Sequence, residues 1–168
     1  TILVDTCTGE DKGYPAPFDF DKAPWLDGFK AAGLRFEDID YVFCTHLHAD
    51  HVGWNTRLRD GNWVPTFPRA RYLFARREYE HWERTHREAL AKGEAVPNHG
   101  SFADSVLPVM EAGQADLVGS DHQIEDGVHL EAAYGHTPGA CMLHARSRNQ
   151  HGVFAGDVCP AEAAEQRR

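Results

Sequence analysis

A chain of 168 residues can bury a core of its own and reads as one domain, residues 1–168. Hydrophobic residues make up 42% and charged residues 26%, with no run approaching the roughly 20 apolar residues of a membrane span, so a globular chain with no membrane partner is expected. The net charge of -9 argues against nucleic-acid binding through bulk positive charge and leaves a small molecule as the expected partner.

The chain opens without Met on Ile2-Leu3-Val4-Asp5, a buried-strand candidate, and shows no leader. Thr8 to Pro24 is a Gly/Pro/Asp-rich loop. Trp25 to Ala32 reads as a short helix stopped by Gly33. Tyr41 to Cys44 is an apolar, β-prone run and so a buried strand. Asn55 to Pro68 reads as irregular, and Ala70 to Ala75 as a strand. Arg77 to Lys92 reads as a helix with Tyr79, Trp82, His86 and Ala89 on one face. Ser101 to Ala112 is a second helix, with Ser101 as N-cap, Asp104 at N3 and Pro108 as an interior flaw. Short strands follow at Asp116 to Val118, Val128 to Tyr134, Cys141 to Arg146 and Gly152 to Ala155. The tail from Ala161 to Arg168 is short, polar and helix-prone, so the chain reads as incomplete at both ends. Strands mixed with a few helices imply an α/β or α+β domain.

Cysteines stand at positions 7, 44, 141 and 159, with no C-x-x-C spacing. A chain of this size does not need disulfides, so free thiols in a reducing compartment, and hence a cytoplasmic location, are expected. Cys44 reads as a small buried hydrophobe inside a strand.

The chemistry gathers at Thr45-His46-Leu47-His48-Ala49-Asp50-His51. In an extended segment His46 and His48 point the same way, and Asp50 and His51 follow a few ångströms on. Imidazole nitrogen and carboxylate oxygen suit zinc and related divalent ions. So many polar groups after a buried strand are costly unless something compensates their desolvation. Two distant groups fall at strand ends as well: His136, in the turn Gly135-His136-Thr137-Pro138-Gly139, and Asp157, after Phe154-Ala155-Gly156. Each alone is ordinary turn chemistry.

H-x-H-x-D-H, then G-H-T-P-G, then G-D, in that order along nearly the whole chain, resembles the metallo-β-lactamase superfamily. The resemblance implies an α/β fold, the four-layer αβ/βα sandwich, with a metal site at one edge. It implies one metal on His46, His48 and His136. The second metal takes Asp50 and His51, and Asp157 bridges the two. Two Zn2+ ions are implied as cofactors, other divalent ions being possible, and Asp50 and Asp157 become the catalytic carboxylates. The family pattern places one more histidine on the second metal, beyond the bridging aspartate. The residues after Asp157 contain none, and Gly139-Ala140 departs from the commoner Gly-His. A truncated chain with an incomplete second set is therefore expected, weak or inactive as it stands.

The commonest zinc β-lactamases use a cysteine on the second metal and lack a histidine after the aspartate; here His51 is present and Asp157 sits where a bridging carboxylate belongs, so a β-lactam substrate is not expected. There is no room for the extra domain of the RNA-processing branch. The stretch Gly61 to Pro68, with Arg71-Tyr72 and Glu78-Tyr79, resembles the branch of N-acyl homoserine lactonases and methyl parathion hydrolase. This implies hydrolysis of a lactone or ester by a metal-bound hydroxide. The alternatives are phosphotriester or thioester hydrolysis on the same fold, or an inactive partial chain holding one metal. Diiron electron transfer is disfavoured, because that type has glutamate where His48 stands.

The remaining residues read as structural. Tyr79, Trp82 and His86 are a core stripe. The arginines at 69, 71, 76, 77, 84 and 87 form a solvated face with Glu78, Glu80, Glu83 and Glu88. His81, His99, His122, His129, His144 and His151 have no ligand spacing and read as surface or supporting histidines. Trp54, Phe18 and Phe20 are candidates for the wall of the site's mouth.

Overall fold

The computed structural model describes residues 1–17 and 24–158; Phe18, Phe20, Cys159 and the tail from Ala161 lie outside that range. In chain order the elements are β1 (Ile2–Val4), α1 (Trp25–Ala31), β2 (Tyr41–Phe43) and α2 (Ala49–Val52). Next come β3 (Thr56–Arg59), β4 (Asn62–Pro65), β5 (Arg71–Ala75), α3 (Arg76–Lys92) and α4 (Leu107–Glu111). The chain then runs through β6 (Ala115–Val118), β7 (Gln123–Glu125), β8 (Val128–Ala132), β9 (Cys141–Ser147) and β10 (Gln150–Phe154).

Strands that are apolar on both faces need cover on both faces, which is the habit of parallel sheets. β2 and β5 are of this kind, and with β1 and β6 they form a parallel sheet in the order β1-β2-β5-β6. Val42, Tyr72 and Phe74 face the helices and pack with Phe29, Phe67, Tyr79, Trp82, Phe102 and Val109. Phe43, Leu73, Ala75 and Val118 face the other way, onto Leu130, Cys141 and Leu143. These last belong to an antiparallel sheet in the order β10-β9-β8-β7. Two facing sheets with helices outside the first are the metallo-β-lactamase sandwich, present in part. The buried aromatic side chains of α1 and α3, Phe29, Tyr79 and Trp82, join the first cluster. Among the described residues no helix is long and apolar enough to cross a membrane.

The segment read as irregular between Asn55 and Pro68 is instead a hairpin, β3 against β4. Asp60 and Gly61 join its strands, with φ of 52° and 79°. Both central residues of a twist-matched two-residue turn need positive φ, and Asp-Gly supplies them. The helix expected from Ser101 to Ala112 divides into a π-helical turn, Phe102–Val106, and α4. Ser101 makes no side-chain cap, and Pro108 falls in the first turn of α4, where its missing N–H costs nothing. β7 was not expected from the sequence, having only one apolar residue.

The loop after β1 is held down by Lys12. Lys12 Nζ donates to Thr56 Oγ1 at 2.8 Å and Ser105 Oγ at 2.9 Å and lies 3.7 Å over the Trp63 ring. Tyr14 OH donates to the Asp104 carboxylate at 2.9 Å. The loop is thereby fastened to the hairpin and the π-helical turn.

Arg71, expected among a band of arginines paired with glutamates, clasps Asp116 on the neighbouring strand with two donors. The Arg71 hydrogen bonds hold the Asp116 carboxyl below its usual range. A carboxyl lowered in the folded state contributes stability above its unfolded pKa and loses it as pH falls through the folded value. Asp116→Asn should therefore cost on the order of 0.5 kcal/mol at pH 7, as for an exposed ion pair. The gap from wild type should close as pH falls below about 4, the unfolded carboxyl range. Urea titrations across pH measure it, and a gap independent of pH would refute the assignment.

Candidate metal centre

The candidate residues arrive from both sheets at one end of the sandwich. His46 and His48 lie on the loop leaving β2, and Asp50 and His51 on α2 just beyond. His136 sits in the turn between β8 and β9, and Asp157 follows β10. The two sheets are tied here by Cys141 N–H donating to Thr45 C=O at 2.9 Å. Gly156, with φ of 56°, lies so close that a Cβ would come within 2.5 Å of Thr45 Oγ1. That approach is what sets Asp157 beside the histidines.

Five of the six sequence-chosen residues converge, and Asp50 stands at their edge beside His51. His48 Nδ1 stands 3.0 Å from His46 Nε2 and 2.9 Å from His136 Nε2. Asp157 divides its oxygens: Oδ1 is 3.2 Å from His51 Nε2, and Oδ2 is 3.5 Å from His136 Nε2. Asp50 Oδ2 lies 3.8 Å from His51 Nε2. Two groups have all their ligand atoms within 4.8 Å of one another: His46, His48 and His136, and His46, His51 and Asp157. The carboxylates are the open side, with Asp50 44% and Asp157 42% exposed, while His46 is 1% exposed.

Hydrogen bonds assign the tautomers. Asp5 Oδ2 accepts from His51 Nδ1 at 2.8 Å and from Thr45 Oγ1 at 2.9 Å, so the hydroxyl's lone pairs face His46 Nδ1 at 3.1 Å. Both rings thus carry their proton on Nδ1 and turn Nε2 lone pairs inward. Burial, then the neighbouring rings of His51, His48 and His136, pull His46 down to about 2, so it is neutral. Burial and the His136 ring lower His48 too. At His51 burial pulls the same way but is outweighed by Asp5, with Asp50 and Asp157 adding to it, and its pKa is raised.

This donor set fits a divalent ion. A neutral ring has one N–H to give, and two of these rings spend theirs away from the centre. One proton shared among His46 Nε2, His48 Nδ1 and His136 Nε2 can serve only one of the contacts at 3.0 and 2.9 Å at a time, and the remaining lone pairs are free for a cation. Imidazole and carboxylate at this spacing suit zinc and its neighbours.

Three contributors escaped the sequence reading. Asp5, with φ of 56°, ends β1; its Oδ1 accepts from Thr45 N–H at 2.7 Å. A carboxylate at a strand's C-terminal end was a usable signal, the same one that marked Asp157. Asn98, with φ of 55°, braces the loop by donating to Leu47 C=O at 2.7 Å and accepting from Ala49 N–H at 2.9 Å. Glu78, expected on the solvated face, is buried at 1% exposure beneath the site. Other expectations change as well. Trp54 does not line a mouth: it is buried, stacked on Trp25 at 5.2 Å. Tyr79 and Trp82 are core as expected, and the Trp82 ring also packs on His48, 5.3 Å between centroids. His144 is buried between the rings of His129 and His151 on the outer face of the second sheet. Cys44 is buried, and Cys7, Cys44 and Cys141 are free thiols.

The profile of the metallo-beta-lactamase superfamily matches residues 1–163, and the chain belongs to that superfamily. Among solved structures it resembles the hydrolase AbOPH, described as in the beta lactamase superfamily, at 24% identity and a TM-score of 0.71. The match covers 94% of this chain and 52% of that one. The dizinc quorum-quenching lactonase AidC, in complex with the product N-hexnoyl-L-homoserine, is 21% identical, with a TM-score of 0.64 over 92% of this chain and 51% of that one. A probable metal-dependent hydrolase from Staphylococcus aureus is 19% identical, with a TM-score of 0.69 over 93% and 53%. At these identities the likeness is one of fold. The chain spans about half the length of the solved structures it matches. No curated protein matches it.

Asp5→Asn keeps the shape at residue 5 but replaces one acceptor oxygen with a donor amide, which faces either the Thr45 amide or the His51 and Thr45 side-chain donors. Loss of such an outer partner typically weakens metal affinity about 10–100-fold. Competition with a chelating dye should show that loss for zinc, and wild-type affinity would mean that Asp5 does not orient His51.

Proposed function

We propose that this chain forms the metal-binding part of a hydrolase that opens lactones or esters with two zinc ions. The observation that carries the reading is the convergence of His46, His48 and His136, with Asp157 reaching from that group to His51. In this reading His46, His48 and His136 would hold one ion and Asp50 and His51 the other, with Asp157 placed to serve both. Bound there, the ions supply an activated water and an electrophile for the carbonyl oxygen.

The chain's own groups do the rest. Asp157, with one oxygen toward each side, keeps the two halves in register. Asp50 is the more exposed carboxylate and stands at the open side, where it accepts a proton from the attacking water and passes it to the leaving alkoxide. Asp5 and Thr45 keep His51 and His46 in the tautomers that face inward. No serine or cysteine nucleophile is required. Cys44 and Cys141 are buried, and burial pushes both thiols up. Lactones are favoured as substrates because two of the neighbouring folds are quorum-quenching lactonases by description, one in complex with an acyl homoserine product. Among the described residues no cysteine stands with the candidate ligands, which disfavours β-lactams.

The protein containing this chain should hydrolyse acyl homoserine lactones or activated aryl esters only when loaded with metal. Chelation and dialysis should abolish turnover and added zinc should restore it. His48→Ala should lower kcat/KM by about 10²–10³-fold, the scale of losing a group that stabilises developing charge. Activity that survives chelation would exclude the mechanism, and efficient turnover of a penicillin would exclude the substrate class.

A further inference from the structure

Glu78 lies in the first turn of α3, among arginines and glutamates that read as solvent-facing, yet it is 1% exposed. Each of its oxygens accepts two hydrogen bonds. Oε1 takes Leu47 N–H at 3.1 Å and the Trp82 indole N–H at 2.7 Å. Oε2 takes the Thr137 hydroxyl at 2.8 Å and Gly139 N–H at 2.9 Å. Leu47 separates His46 from His48, and Thr137 follows His136. One carboxylate thus grips the two loops that supply all three imidazoles of the first group, one loop from each sheet.

The surroundings are shaped for this grip. A Cβ at Gly139 would lie 2.2 Å from Glu78 N, so only glycine lets the turn after His136 come down on the first turn of α3. Trp82, one helical turn on, is fixed by its N–H on Glu78 and lays its ring against His48. The charge itself is favoured at the N-terminal turn of a helix of 17 residues. All four partners are donors, so the site asks for an ionised carboxylate: an amide could serve only one of the two pairs and would set its own N–H groups against the other.

Resting on the metal-site reading above, we propose that Glu78 is a positioning residue that holds the His46–His48 loop and the His136 turn at the separation a single divalent ion needs. It touches neither ion nor substrate. A buried anion beside the imidazoles also offsets part of the charge of an ion held by them, as carboxylates behind ligating histidines do.

The test is zinc titration of the metal-free chain against a chelator of known affinity, for wild type, Glu78→Gln and Thr137→Val, with circular dichroism of each metal-free form. Cobalt substitution gives an independent reading through its visible absorption. Glu78→Gln should weaken the tightest site about 10–100-fold and alter the cobalt bands, the size expected for losing a supporting partner. Thr137→Val removes one of the four bonds and should shift affinity the same way by less; it carries the test if Glu78→Gln fails to fold. Variants that fold, lose thermal stability and still bind zinc as wild type does would overturn the proposal while leaving the metal site standing. A wild-type chain that binds no zinc would overturn the metal site, and the positioning role with it.

Discussion

Three ring nitrogens meet at the centre of the site, His46 Nε2 and His136 Nε2 each within 3.0 Å of His48 Nδ1, and one shared proton can serve only one of those contacts at a time. Much of this end of the molecule is arranged to hold that meeting in place. His46 is buried and kept neutral, its proton spent on Thr45. Asp5, Asn98 and Glu78 take up the backbone and side-chain donors of the same loop. Each brace is an acceptor aimed at a donor on the loop, so the loop has few other conformations that satisfy it. The desolvated, neutral rings are held in advance for a cation, which is the state a metal ligand must reach in any case.

The sandwich supplies the rigidity that such bracing needs. β2 and β5 are buried on both faces, and their ends are fixed by two separate clusters rather than one. The candidate groups stand where β1, β2 and β10 end and where β8 turns into β9. Side chains on strand ends are set more precisely than those on long loops, and here the loops are short or clipped. Glycines enter where backbones must nearly touch, at Gly139 against α3 and Gly156 against Thr45.

What could be read from the sequence was what is local. H-x-H-x-D-H crowds its meaning into six residues, and spacing alone shows that the groups can converge. His136 and Asp157 were legible only together with that cluster, because a turn histidine and a Gly-Asp are ordinary apart. Asp5 carried the same strand-end signal as Asp157 with no motif beside it to single it out, and Glu78 was not legible. Asp5 is one acid after a strand, and Glu78 is one glutamate in a helix rich in them; their role exists only when loops 31 to 61 residues away fold onto them. The strands of the parallel sheet were found from their apolar runs. The β3–β4 hairpin was missed because Thr56–Arg59 is mostly polar, though Asp60-Gly61 marks its turn. Trp54 was misplaced because an aromatic beside a motif can face either the site or the core, and stacking on Trp25 decided for the core.

The central claim is that residues from both sheets converge to hold divalent metal at one point. Crystals soaked in zinc and measured at the zinc absorption edge would test it most directly. The strongest anomalous peak should lie about 2.0–2.1 Å from His46 Nε2, His48 Nδ1 and His136 Nε2. A second peak should stand about 3.5–4 Å away, beside Asp50 and His51, with Asp157 between the two. No peak at that point, or zinc held instead by His129, His144 and His151 on the outer face of the second sheet, would contradict it.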